Sequence, residues 1–256
     1  MRPITLLLLT FLTLAAQAAN LSREQRLSEQ LDNPALEGKA VWLQEGPHSF
    51  LALLRENRGE RRFGGVILLH DRGAHADWRA VIAPLRHHLA DAGWDSLSLQ
   101  MPIEEGDPLS AGKLPDDASP RIRAAIGYLR GRQPDLLVLI GHGEGALRAL
   151  AYLRTQPTPP VSGLVAIGLP VPPGKAGEAV IDAIAGLDLP LLDLYGSQDL
   201  PEVVESAASR QGAARRNGRE NYRQERVLGA GHDFSGLQQS LVQRVGAWLR
   251  RLAEAP

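Results

Sequence analysis

Apolar residues along this chain come in two alternating patterns: short continuous runs, and stretches with one apolar residue every three or four positions. The continuous runs predict buried strands and the spaced stretches predict helices. Leu21–Leu31 predicts a polar, weakly amphipathic helix. Lys39–Gln44 and Phe50–Glu56 predict two strands, with Glu45-Gly46-Pro47 turning between them. From Gly64 the two patterns alternate strictly. Val66–Leu69, Trp94–Leu99, Leu136–Ile140, Leu164–Ile167, Leu191–Leu194 and Arg223–Leu228 predict strands, the third of them central. Between them, Trp78, Val81, Ile82, Leu85 and Leu89 share one helical face, as do Ile122, Ala125, Ile126 and Leu129. A helix is expected from Gly145 to about Arg154, and Leu237, Leu241, Val245, Trp248 and Leu252 stripe a closing one.

Apolar strands separated by amphipathic helices specify a mostly parallel sheet covered on both faces, an α/β fold. Ligands of such sheets bind beyond the carboxyl ends of the strands. The 256 residues suit one domain, because no Ser/Gly-rich or charged linker divides them. Residues 64–256 are expected to form the core, joined to the helix and first strands of 19–63.

With 28 basic and 29 acidic residues the chain is near neutral, which argues against nucleic acid as a partner. The absence of cysteine excludes disulfides, thiolate metal sites and a thiol nucleophile. Residues 1–18 are expected to be a cleaved signal peptide: Arg2, the apolar run Ile4–Leu14, and the A-x-A site Ala16-Gln17-Ala18. The run is too short to span a bilayer, and no second segment approaches that length. The expected location is the periplasm or the exterior of a bacterium, with no transmembrane segment in the mature chain. The acidic segment Met101–Pro120 reads as a surface loop, and one that shapes a binding site is the alternative.

Four motifs stand directly after strands: His70-Asp71-Arg72-Gly73, Gly141-His142-Gly143-Glu144-Gly145, Gly196-Ser197-Gln198-Asp199 and Gly229-Ala230-Gly231-His232-Asp233-Phe234. The glycine-rich second motif lacks the Lys-Ser/Thr of a phosphate loop and the spacing of a dinucleotide loop. Asp199 has two readings, a site acid or a helix cap before Leu200-Pro201. His232 is a general base or an ordinary loop histidine. His70 and His142 read as packing or hydrogen-bonding residues, and His142 has no metal partner at helical or loop spacing, so no metal site is expected; no other cofactor is expected either.

In order and spacing these motifs resemble the α/β-hydrolase superfamily from about Gly64 to Leu252. They are also similar to a group of exported proteobacterial hydrolase-like proteins without known substrate. The resemblance implies an oxyanion loop at Arg72 and Gly73, a nucleophile elbow at Gly141–Gly145, an acid at Asp199 and a base at His232. Gly143 then stands where the family has its serine, and it carries no attacking atom. Glycine adopts the elbow's strained backbone without a Cβ penalty. The backbone N–H of Glu144 is expected to face the oxyanion hole, and Gly143→Ser is expected to restore part of a triad. Two functions stay open: a non-catalytic protein binding a small molecule or envelope partner, and a weak ester or acyl hydrolase in which His232 and Asp199 activate water.

Overall fold

The computed structural model describes residues 20, 22–33, 37–103, 112–156, 158–216 and 221–255. The expected signal peptide and residues 104–111 of the acidic loop lie outside the described residues. Helix α1 covers residues 22–31. It is followed by β1 (Lys39–Glu45), β2 (His48–Arg55), β3 (Gly64–Leu69), α2 (Ile82–Asp91), β4 (Trp94–Leu99), α3 (Ser119–Arg130) and β5 (Leu136–His142). The second half comprises α4 (Glu144–Arg154), β6 (Gly163–Ile167), α5 (Lys175–Gly186), β7 (Leu191–Gln198), α6 (Pro201–Val204), α7 (Ala207–Arg215), β8 (Tyr222–Gly231) and α8 (Gln238–Glu254).

The strands form one eight-stranded sheet in the order β1-β2-β4-β3-β5-β6-β7-β8. β1 and β2 are antiparallel, β2 meets β4 antiparallel, and every later pairing is parallel. Side chains of successive strand residues point to opposite faces, and the core divides accordingly. Ile67, Leu69 and Leu139 pack with Ile122, Leu147, Leu150 and Val180 of α3, α4 and α5. Val66, Leu68, Val138 and Ile140 pack with Leu85, Leu89, Leu241, Val245 and Trp248 of α2 and α8. The fully apolar strands predicted from Gly64 onward are therefore those buried on both faces.

Three local differences from the sequence expectation have physical causes. Trp78 and Val81 precede α2 rather than belonging to it, because Pro84 is tolerated only in a helix's first turn and the helix begins at Ile82. Helix α5 has no continuous apolar stripe, because its buried face mixes Val180 and Ile184 with Ala176, Gly177 and Ala183. Helix α7 buries three alanines and Arg210, a face with no apolar stripe. Arg210 donates to Asp193 at 2.7 Å, and Tyr222 and Gln224 donate to the same carboxylate oxygen at 2.6 and 2.9 Å. This buried network ties α7 to β7 and β8.

Helix α1 lies across the sheet's carboxyl end. Its Leu27 and Leu31 pack on Leu51, Leu53 and Ala76. Its Glu24 forms a buried ion pair with Arg121 at 2.7 Å, and Arg121 also binds Glu45 at 2.6 Å. Among the described residues, no helix is long and apolar enough to cross a membrane.

Candidate functional site

All four motifs converge beyond the carboxyl ends of β3, β5, β7 and β8. Gly143 forms the turn between β5 and α4, with φ 53° and ψ −118°. Its N–H donates to the Ile167 carbonyl at 2.8 Å, which pins the turn to the end of β6. L side chains rarely adopt this φ, so the torsions alone favour glycine.

The space in front of Gly143 is filled. The carboxylate of Asp71, from the loop after β3, lies against its Cα. A Cβ on residue 143 would stand 2.7 Å from Asp71 Oδ2 and closer still to Cγ and Oδ1. Asp71 Oδ1 accepts the Glu144 backbone N–H at 2.7 Å, the donor that faces the oxyanion in a serine hydrolase of this fold. Oδ2 faces His232 Nε2 at 3.0 Å. The carboxylate thus occupies both the place of the missing hydroxyl and the oxyanion donor.

His232 also holds Asp199, with Nδ1 2.6 Å from Oδ1. The Asp199 side chain is buried and accepts the N–H groups of Leu200 at 2.8 Å and Gly196 at 3.2 Å. Those bonds place the carboxylate at the loop before α6 and aim it at the histidine, instead of capping the helix interior. Gly168, at φ 57°, makes room for the pair: a Cβ there would stand 2.9 Å from His232 Cε1 and Nδ1.

The electrostatics follow from this bridge. Burial pushes the His232 pKa down, but hydrogen bonds and charge from Asp199 and Asp71 outweigh it and raise it to about 10. Burial pushes Asp71 up, but the His232 bond, the neighbouring histidines and the Glu144 N–H bring it down to about 2. Asp199 is lowered by the same balance of burial against its histidine. At neutral pH the centre is one histidinium held between two carboxylates.

His70 and His142 have hydrogen-bonding roles. His70 is buried, its Nε2 accepts the Met101 N–H at 3.0 Å, and its Nδ1 lies 2.7 Å from the Asp71 carbonyl. Burial lowers its pKa to about 3, so it is neutral and its proton sits on Nδ1. His142 packs against His232 with ring centroids 4.6 Å apart, and its Nε2 lies 3.1 Å from the His232 carbonyl. One ligand-capable atom each from Asp71, His142 and His232 lie within 4.8 Å of one another. Sequence spacing could not display this set, because its members come from three separate loops.

Gly143, Glu144, Asp199 and His232 therefore come together as the motifs imply, and two expectations change. The Glu144 N–H does not face an open oxyanion hole, because Asp71 accepts it. Arg72 contributes its guanidinium, which donates to Glu144 Oε2 at 2.8 Å. Glu144 also pairs with Arg148 at 2.7 Å, and Arg148 binds Asp117 through two bonds of 2.7 and 3.1 Å. Asp117, counted in the acidic loop, is thereby half-buried in an ion-pair chain. Ser197 accepts the Gly229 N–H at 2.8 Å and spaces the loops apart. Gly73 has φ 73° and open space around its Cα. Asp71 is the residue that sequence reasoning passed over. The available signal was an acidic residue at the end of β3 opposite an elbow with no side chain.

A cavity of about 530 Å³ opens beside Asp71. Its walls come from α1, the loop after β3, Pro102 and Ile103, and the first turns of α4.

The sheet order, the elbow torsions and the Asp199–His232 pair define an α/β-hydrolase fold with glycine at its elbow and a neighbouring carboxylate against it. The chain belongs to the family described as "Protein of unknown function (DUF3530)", whose model matches residues 10–120 and 113–251. No curated protein is a sequence match. Solved structures share the fold. An esterase from Pyrococcus furiosus has a TM-score of 0.68 at 17% identity, covering 86% of this chain and 94% of its own. A lidless α/β serine hydrolase from Xanthomonas campestris gives 0.66 at 17%, covering 88% and 100%. A CIB-like hydrolase from Thermoplasma acidophilum gives 0.64 at 18%, covering 83% and 98%. At these identities the likeness concerns the fold.

Proposed function

We propose that this chain is an exported, non-catalytic member of the hydrolase fold that binds a small molecule in the cavity beside Asp71. One observation carries the reading. The Asp71 carboxylate stands where a serine Oγ would attack, and it already takes up the oxyanion donor and the histidine's Nε2. Serine-type acyl transfer needs a nucleophile, a free base and an open oxyanion hole. Here every one of those positions is satisfied from within. The cavity itself is of ordinary ligand-pocket size. Export rests on the leader-like residues 1–18, and Edman sequencing of the mature protein, expected to start at Ala19, tests it.

The second reading is direct activation of water by His232, oriented by Asp199. It is favoured by the short Asp199–His232 contact of 2.6 Å. It is opposed by the state of the base, since a histidine raised to about 10 has no lone pair to offer at neutral pH. The two readings separate in one assay, a panel of activated acyl esters and thioesters incubated with purified mature protein from pH 6 to 11. The binding reading expects buffer rates throughout. Turnover with an ascending limb near pH 10, lost in His232→Ala, would replace it with the water mechanism.

A further inference from the structure

Among the described residues, the lining of the cavity beside Asp71 has a charge unlike that of the whole chain. The whole chain carries a formal net charge of −1. The cavity is lined by four arginines (Arg23, Arg26, Arg72 and Arg148) and by two carboxylates, Asp71 and Glu144. The two lining histidines do not add positive charge at neutral pH, because burial lowers both His70 and His75. Among the described residues, the formal charges of the lining sum to +2.

That excess has a place. Arg72 and Arg148 are bound to Glu144, and Arg148 to Asp117 as well. Asp71 is bound to His232. Among the described residues, Arg23 and Arg26 of α1 have no carboxylate within ion-pair distance. They stand three residues apart on one helix, a spacing that places their Cβ atoms about 5–6 Å apart on the same face. The helix is held over the cavity by the buried Glu24–Arg121 pair and by Leu27 and Leu31. Two guanidiniums on a fixed wall present planar, always-charged forks to one oxyanion. Leu27, Pro102 and Ile103 add an apolar surface beside them, and a cleft lined by one sign of charge concentrates ligands of the other.

We infer that the cavity binds a phosphate monoester with a compact apolar body, its phosphate held between Arg23 and Arg26 and its body against Leu27 and Ile103. Two guanidiniums with no carboxylate partner among the described residues match the two charges of such a phosphate, whereas a carboxylate would use one. The paired floor formed by Asp71 and Glu144 turns the anionic end toward α1 and away from the histidine. The inference rests on the binding reading above and names its ligand class.

The test is calorimetric titration of the mature protein at low salt with phenyl phosphate, benzoate and benzyl alcohol. Phenyl phosphate should bind, at least tenfold more tightly than benzoate, and benzyl alcohol should not bind detectably. Affinity should fall as salt rises, and Arg23→Gln/Arg26→Gln should weaken it at least tenfold with an unchanged melting temperature. Arg251→Gln, on the far end of α8, should leave it unchanged. Equal binding of benzoate, or an unaltered affinity in the double variant, overturns the inference. Absence of phenyl phosphate binding overturns it as well and leaves the ester-inert reading of the centre intact. Hydrolysis of bound phenyl phosphate would instead overturn the non-catalytic reading and uphold the ligand class.

Discussion

Replacing Gly143 by serine probes the interlock between the elbow and Asp71. The side chain would enter at φ 53°, a backbone conformation that costs a non-glycine residue about 1–3 kcal/mol. Its Cβ would stand 2.7 Å from Asp71 Oδ2 and closer to the rest of the carboxylate, so Asp71 must leave. Leaving breaks the 2.7 Å bond from the Glu144 N–H and the 3.0 Å contact with His232. Hydrogen bonds to charged groups are worth about 1.5–3 kcal/mol each. Part of that loss is recovered because the Asp71 side chain lines the cavity and can turn into water. A net destabilisation of about 3 kcal/mol follows, or roughly 6–12 °C in a domain of this size. Gly143→Ser alone should therefore be less stable and should not react with an organophosphonate probe, because the displaced carboxylate remains close to the new hydroxyl. Asp71→Ala alone should cost about 1–3 kcal/mol for two stranded donors. The double variant Gly143→Ser/Asp71→Ala removes the clash and opens the Glu144 N–H. It should be more stable than the sum of the single effects by about 2 kcal/mol, and it should acquire labelling at residue 143. Thermal melts and intact-mass spectrometry on the four proteins measure all of this. Additive melting shifts, or labelling of the single serine variant at the level of the double, would refute the interlock.

Three further outcomes follow from the same structure. His232 should remain protonated to about pH 10 by NMR of its ring nitrogens, and Asp71→Asn should lower that value by removing one of its two carboxylates. Because the folded pKa lies above the unfolded one near 6.5, its contribution to stability is complete below pH 6.5. It is lost as pH rises toward 10, so denaturation midpoints should fall across that window. Gly168→Ala should destabilise by about 1–3 kcal/mol, through its φ of 57° and a 2.9 Å approach to the His232 ring, and should shift the His232 titration. Asp193→Ala, read by urea denaturation, should cost about 3–5 kcal/mol by leaving Arg210 buried without its partner at 2.7 Å.

The fold was legible because it rests on signals that are local in the chain. Val66–Leu69 and Leu136–Ile140 are apolar at every position, and only a strand covered on both faces requires that. The convergence of Asp199, His232 and Gly143 was legible for a related reason: each follows a strand, and a parallel sheet brings all carboxyl ends to one edge. Asp71 follows a strand too, yet its role was hidden. Linear order says which loop a residue belongs to and nothing about which way its side chain turns, and the neighbouring Arg72 and Gly73 drew the expectation. The purpose of α1 was equally hidden, since the partners of Glu24 and Leu27 lie far away in sequence.

The contact between Gly143 and Asp71 also bears on how such a chain can change over generations. A serine at the elbow and the Asp71 carboxylate in its present position exclude each other, so either one constrains what the other position can hold. With glycine at 143 and aspartate at 71, neither changes alone without a penalty: an incoming serine meets the aspartate, and a departing aspartate leaves a silent glycine. The pair works as a ratchet. Lineages that carry it are expected to vary the rims of the cavity while these two positions change together or stay as they are.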